Sequence, residues 1–362
     1  MKKLLIISGV LVFLCIVIPT KILSTKRRDN RLSPVPWMQE QIQKEISQFK
    51  NKKISLKEMR SHFYPDLKSH MLAEVQIKDN KIYVTTDPEI RNSWVYCRYD
   101  MLNLALKKLR KNAPLPDVTF FLSLWDSYER DSQFPIFVFA KNIYLMGQIQ
   151  IPDCFAVERS FVIEKGKVFK DILPIPWEQK IDKLAWRGST SQGVFINHTN
   201  FQTISRFTLC QLSLVHPDLI DAGFTLMFQG ADTIQELQTL KKEFLPYSEL
   251  VKYKYQIWID GNSASYTDSG WRFFSNSVVL KPDSENVQWY YPKLEPGVHY
   301  IPVKRNLEDL VEKIQFLQAN DSYAKEIAKN ALQFGADYLS QEALMRYLYS
   351  VIWEYSKLEF VE

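Results

Sequence analysis

The first apolar signal is a nearly continuous run from Leu4 to Ile18, with Lys2 and Lys3 before it and Lys21, Lys26, Arg27 and Arg28 after it. Extended to Leu23, the run reaches the ~20 residues that cross a bilayer. Its exit carries a basic cluster where a cleavable signal would carry a small-x-small site. Residues 1–28 are therefore read as a single-pass N-terminal membrane anchor. The cluster at Lys26 to Arg28 puts the body of the protein on the cytoplasmic face, or the lumenal face in a eukaryotic cell.

Past residue 30 the pattern becomes that of a folded chain. WMQEQIQKEISQF spaces its apolar residues as an amphipathic helix does. AEVQIKDNKIYVTT alternates on either side of Asp79-Asn80, a hairpin signal. YDMLNLALKKLRKN predicts a helix, closed by Pro114 and Pro116. PDVTFFLSLWDS and PIFVFAKN follow as short buried strands. WEQKIDKL predicts a short helix, RFTLCQLSLVHP a longer one, YKYQIWIDG a strand, and WRFFSNSVVLK a helix running into a strand. From NLEDLVEKIQFLQ onward the pattern is helical. Strands alternating with helices predict α/β architecture with mostly parallel sheets. The succession of elements predicts an N-terminal α/β domain over 29–174, a second α/β domain over 175–335 and a helical segment over 336–362.

Composition narrows the chemistry. Lysine plus arginine number 46 against 41 acids in 362 residues, a net charge of +5. This mild excess suits anionic ligands or lipid headgroups and not nucleic acid, for which no zinc-finger spacing or recognition aromatics are present. Four cysteines share no metal-ligand spacing, and the three outside the anchor cannot all pair, which favours a reducing compartment.

Three stretches carry candidate chemistry. LAWRGSTSQG delivers Arg187 to the end of an apolar strand, followed by Gly188 and Ser189. In α/β folds ligands bind at such strand ends, yet an arginine paired with an internal carboxylate beside an ordinary turn fits the spacing equally well. YQIWIDGNSASYTDSGWRFF places Asp260, Gly261 and Ser265 between a strand and a helix whose first turn holds Arg272. A helix N-terminus with a nearby arginine suits a phosphate, and a capped surface helix is the plain alternative. In FFLSLWDSYERDS, Asp126 follows a strand from the N-terminal half, where a carboxylate is suited to general-base work or to capping a loop. There is no Walker A loop or GxGxxG, which speaks against an NTPase or a dinucleotide oxidoreductase.

In order along the chain, KIDKLAWRGSTSQG, Arg206 in ISRFTLCQLS, HPDLIDAGFT, YQIWIDGNSASYTDSGWRFFSNSVVLK and EPGVHYIPV resemble glycosyltransferase family 90. The resemblance covers about residues 115 to 355 and is nearest to the bacterial lipopolysaccharide branch. It implies a GT-B-like fold, two Rossmann-like domains facing a cleft, with the nucleotide-sugar held mainly by the C-terminal one, over 175–335, and the acceptor on the side of the N-terminal one, over 29–174. It implies inverting transfer of a glucose or related sugar from a UDP-sugar to a hydroxyl of lipopolysaccharide or another surface glycan, without an obligatory metal or other cofactor. A protein serine as acceptor and a non-catalytic binding relative are the alternatives. By resemblance Asp126 is the base, although its neighbours lack the asparagine, arginine and proline of the family pattern N-x-R-D-x-P. Arg187, Gly188, Ser189, Asp260, Gly261, Ser265 and Arg272 fall at donor-binding positions. No DxD metal motif is present.

Overall fold

The computed structural model describes residues 32–153, 175–264 and 266–362. The proposed anchor lies outside the described residues. Among the described residues no helix is long and apolar enough to cross a membrane.

The first helix among the described residues is α1 (Pro36–Ile46), which starts on proline and buries Met38, Ile42 and Ile46 along one stripe. After α2 (Leu56–Phe63) come strands β1 (Leu72–Lys78) and β2 (Lys81–Thr86). They are joined as expected at Asp79 and Asn80, whose φ of 49° and 59° give the left-handed pair that a tight hairpin needs. Helix α3 (Cys97–Asn112) leads to β3 (Val118–Ser123), and β4 (Ile136–Val138) and β5 (Gln148–Gln150) complete the sheet. Its order is β2-β1-β3-β4-β5. The sheet is mixed: β1 runs antiparallel to β2 and β3, while β3, β4 and β5 are parallel. All six residues of β3 are buried because it is a central strand with both faces covered.

The second sheet is wholly parallel. It contains β6 (Ile181–Ser189), β7 (Ile220–Leu226), β8 (Tyr253–Ile257), β9 (Val278–Pro282) and β10 (Ile301–Val303). Helix α4 (Ser205–Val215) connects β6 to β7, and α5 (Tyr266–Phe273) connects β8 to β9. The expected helix in WEQKIDKL is only a single turn at Trp177–Gln179, because Ile181 onward is claimed by β6. Strand order is β7-β6-β8-β9-β10. In chain order that is the doubly wound pattern whose direction of growth reverses between its first and third strands, here β6 and β8. Such sheets leave a crevice at the carboxyl ends of those two strands.

The C-terminal helices do not form a separate layer. After α6 (Leu310–Ala319) and α7 (Asp321–Tyr338), helix α8 (Gln341–Tyr355) returns to the first sheet. Tyr355 donates to the carbonyl of Thr119 in β3 at 3.3 Å, and Trp353 donates to that of Pro114 at 3.3 Å. Trp37 of α1 packs against Trp289 and Tyr347 with ring centroids 5.8 and 6.5 Å apart. Finally Glu359–Val361 pairs in parallel with Lys53–Ser55. One apolar cluster therefore joins α1, the first sheet, α8 and Trp258, Phe273 and Trp289 from the second half. Leu348 is 1% exposed within that cluster. Its truncation to alanine should cost about 2–5 kcal/mol, the range for a fully buried leucine that leaves a cavity. Urea unfolding of Leu348→Ala measures this, and a loss below about 1 kcal/mol would mean that the returning helix is only loosely packed.

Candidate functional site

The crevice between the ends of β6 and β8 opens into a cavity of about 480 Å³ that is lined from both halves of the chain. This is within the usual size of a small-ligand site. Five of the sequence candidates meet on its wall: Asp126 from the first half, and Arg187, Gly188, Ser189 and Gly261 from the second. Asp260 and Arg272 do not. Ser265 lies outside the described residues.

Asp126 follows β3 and is held from two sides. Its Oδ1 pairs with Arg98 Nη2 at 2.6 Å, and its Oδ2 accepts from Asn262 Nδ2 at 2.9 Å. Arg98 comes from the first turn of α3 and is 3% exposed. It also donates to the carbonyl of Leu124 at 2.7 Å. Its guanidinium lies 5.4 and 5.9 Å from the rings of Trp94 and Trp125, a placement that favours a cation.

All three nitrogens of Arg187 donate within the protein. Nε donates to the carbonyl of Glu243, Nη1 to those of Trp186 and Asp221, and Nη2 to both carboxylate oxygens of Asp221, all between 3.0 and 3.1 Å. Lys242 reaches the same carboxylate at 2.8 Å. A phosphate arriving at Arg187 therefore meets a guanidinium already paired with Asp221. Gly188 meets a different need. A Cβ there would sit 2.4 Å from the indole of Trp186, two residues back on the same strand. The glycine is thus required by the packing of its own strand.

A second arginine ties the two loops together. Arg206, on the first turn of α4, is 4% exposed. It donates to the carbonyls of Asp260 at 2.8 Å, Ser189 at 3.0 Å and Ile259 at 3.3 Å, and Ser191 Oγ lies 3.4 Å away. The position of Gly261 follows: a Cβ would stand 2.9 Å from Arg206 Nη2. Asp260 turns its carboxylate away from the main cavity toward Ser284 and Asn286. Burial raises its pKa, and the charge of Lys281 opposes this. Lys281 is itself buried, over the rings of Trp258 and Tyr291. Arg272 is 2% exposed, with its guanidinium 4.9 Å from the ring of Trp271. It stands in the last turn of α5, not the first as the sequence suggested, because the helix already begins at Tyr266, so it is away from the helix N-terminus that would receive a phosphate. The far rim of the cavity is apolar: Phe228 and Phe244 are 50% and 71% exposed, and Trp94 opposite them is 65% exposed. Among the described residues no cluster of His, Cys, Asp or Glu could hold a metal ion.

Residues 32–362 match the family model Glycosyl transferase family 90. The chain belongs to this family. Protein O-glucosyltransferase 2 of Danio rerio is 30% identical over 301 residues, covering 81% of this chain and 57% of the relative. Protein O-glucosyltransferase 3 of Homo sapiens is 29% identical over 337 residues, covering 89% of this chain and 62% of the relative. The chain thus spans less than two thirds of the length of these curated relatives. Their names point to protein acceptors and not to the lipopolysaccharide branch that the sequence resembles. Among solved structures, the crystal structure of TarM aligns with a TM-score of 0.36 and 15% identity, over 50% of this chain and 37% of that one. That is too loose a superposition to define an architecture.

Within this glycosyltransferase family 90 chain, the cavity contains residues that the motifs alone did not single out as site residues: Arg98, Asn262, Trp94 and the aromatic rim. Arg206 lay inside a quoted motif, but nothing in its spacing marked it. The one local signal for Asn262 was its place after Asp260-Gly261. The Arg187–Asp221 pair gives the measurable consequence. Burial alone would raise Asp221, but hydrogen bonds and charge from Arg187 and Lys242 outweigh it and hold the carboxyl below 3.8. A pKa lowered by folding stabilises above the unfolded value, and the gain is lost as pH falls through the folded value. Asp221→Asn should therefore cost roughly 1–3 kcal/mol at pH 7. The gap from wild type should narrow as the pH drops below 3.8, read by denaturant titration at several pH values. A gap that stays constant with pH would mean that the ion pair does not stabilise the fold.

Proposed function

We propose that this protein is an inverting glycosyltransferase that moves a glucose or related sugar from a UDP-sugar to an acceptor hydroxyl. The observation that carries this reading is the meeting of Asp126 with the β6 and β8 loops in one cavity at the crevice of a doubly wound sheet. Two α/β halves facing such a cavity are consistent with the GT-B-like arrangement that the family resemblance implies. Asp126 takes the proton of the acceptor hydroxyl as that oxygen attacks the anomeric carbon from the face opposite the diphosphate. The anomeric bond to the diphosphate breaks, and UDP leaves with the electron pair. Arg187 and Arg206, with the Ser189 and Ser191 hydroxyls, supply positive charge and donors on the leaving side. We assign them the stabilisation that a metal gives in other transferases, so the reaction is proposed to need none.

For the acceptor, the names of the relatives favour a protein hydroxyl, and the surface-glycan reading is tested by the same assay. The N-terminal apolar run is retained as a membrane anchor, for which resistance to alkaline carbonate extraction is the test.

Among nucleotides, UDP should raise the melting temperature of the purified protein, since a ligand at 100 times its Kd adds about 2.7 kcal/mol. No response to any nucleotide would overturn the reading. Asp126→Asn should still bind UDP and lose 10²- to 10⁴-fold in transfer, the range for a general base. Unchanged turnover would remove Asp126 from that role. Absence of transfer by the wild type with every donor and with both protein and glycan acceptors, despite UDP binding, would favour a non-catalytic relative.

A further inference from the structure

Asn262 joins three segments that are far apart in sequence. Its Oδ1 accepts from the N–H of Gly193 at 2.9 Å, and its Nδ2 donates to Asp126 Oδ2 at 2.9 Å. Gly193 closes the LAWRGSTSQG loop at φ 74°, where a Cβ would lie 3.2 Å from the carbonyl of Asn262. The loops ending β6 and β8 are thereby pressed together, and one amide connects both to the opposite half of the molecule. An amide is the side chain suited to this position, because it presents an acceptor to the Gly193 N–H and a donor to a carboxylate. Aspartate would keep the first contact and turn the second into repulsion.

We propose that Asn262 is a positioning residue that sets the Asp126 carboxylate in register with the loops of the donor-side half. The inference rests on the reading of Asp126 as base. Arg98 fixes Oδ1 from within the first half, where Trp94, Trp125 and the Leu124 carbonyl hold it. That grip ties the carboxylate to its own sheet. The angle between the base and a sugar held on the second sheet depends on contacts that cross the cavity, and Asn262 makes one directly to the carboxylate. A neutral amide orients the carboxylate without adding a second full charge beside it. Misplacement of a reacting group by about 1 Å costs on the order of 10²-fold in rate, which is the scale of effect at stake.

The test compares Asn262→Asp, Asn262→Ala, Asp126→Asn and the Asp126→Asn, Asn262→Asp pair in the full chain. Readouts are transfer from UDP-glucose, affinity for UDP and melting temperature. Asn262→Asp, which keeps the Gly193 contact, should lower kcat by about 10- to 100-fold while changing UDP affinity by no more than about threefold. Asn262→Ala should weaken both. Asn262→Asp should melt below wild type, whereas in the Asp126→Asn background, where the hydrogen bond is remade in reverse polarity, the same substitution should not lower the melting temperature further. In the Asp126→Asn background the Asn262 substitution should cause no further fall in residual kcat, because residues that act as a unit are not additive. In Asn262→Asp, a wild-type kcat, a parallel loss of kcat and UDP affinity, or the same loss of kcat with and without Asp126 would each overturn the positioning role. An Asp126→Asn protein that turns over at the wild-type rate overturns the base reading and this inference together. An inactive Asp126→Asn beside a fully active Asn262→Asp overturns the inference alone.

Discussion

The crevice depends on the need for donors at the ends of two parallel strands. Where β6 and β8 stop, the carbonyls of Ser189, Ile259 and Asp260 lose the ladder partners that a continuing strand would give them. A buried backbone carbonyl without a donor costs free energy on the scale of a lost hydrogen bond. Arg206 reaches up from the start of α4 and supplies all three from one guanidinium. A planar fork with several fixed donors does this in a way that lysine cannot. Both loops take their shape from that fork, and Gly261 is needed because the fork passes so close to its backbone.

The second constraint is how the two halves are held. A cavity lined from both sides keeps its shape only if the sides are fixed to one another. Here the chain crosses back: α8 lies on the first sheet, and its apolar face merges with the core around α1. The carboxyl end of the chain pairs with Lys53–Ser55. The last helix therefore belongs to the first layer in space although it belongs to the last part of the chain. Across the cavity itself the Asp126–Asn262 hydrogen bond is a small contact, placed where the two walls face each other.

The arginines illustrate why composition says little about role. Arg98, Arg187 and Arg206 all line the cavity, yet each is held differently: against a carboxylate and two indoles, in a bidentate pair with Asp221, and on backbone carbonyls. The first and second are charge-paired, so much of their field is neutralised locally. The third donates to backbone carbonyls at the strand ends and its charge also acts on the buried Asp260 carboxylate.

Periodicity was enough for α1, the Asp79-Asn80 hairpin, α3, β3 and the strand–helix alternation, because each is governed by which neighbouring positions are apolar and by local turn chemistry. The motif order was enough for the family and for the meeting of Asp126, Arg187, Gly188, Ser189 and Gly261. It was not enough for Arg272 and Asp260. Asp260 is part of the DGN loop and Arg272 lies ten residues beyond it, but the Arg272 side chain is buried in the last turn of α5 and that of Asp260 turns to a neighbouring pocket. Direction at a strand end is decided by what packs there, and sequence spacing does not carry that information. LAWRGSTSQG by itself left open whether its arginine was paired internally or exposed to an anion. The structure supplies the Asp221 pair and the cavity wall together, because Asp221 lies on the neighbouring strand β7 and only parallel pairing of β6 with β7 brings it alongside. The sequence alone determined the local elements and the order of the motifs. Tertiary structure decided which side chains share the crevice, since that depends on strand order, crossover and the return of the last helix.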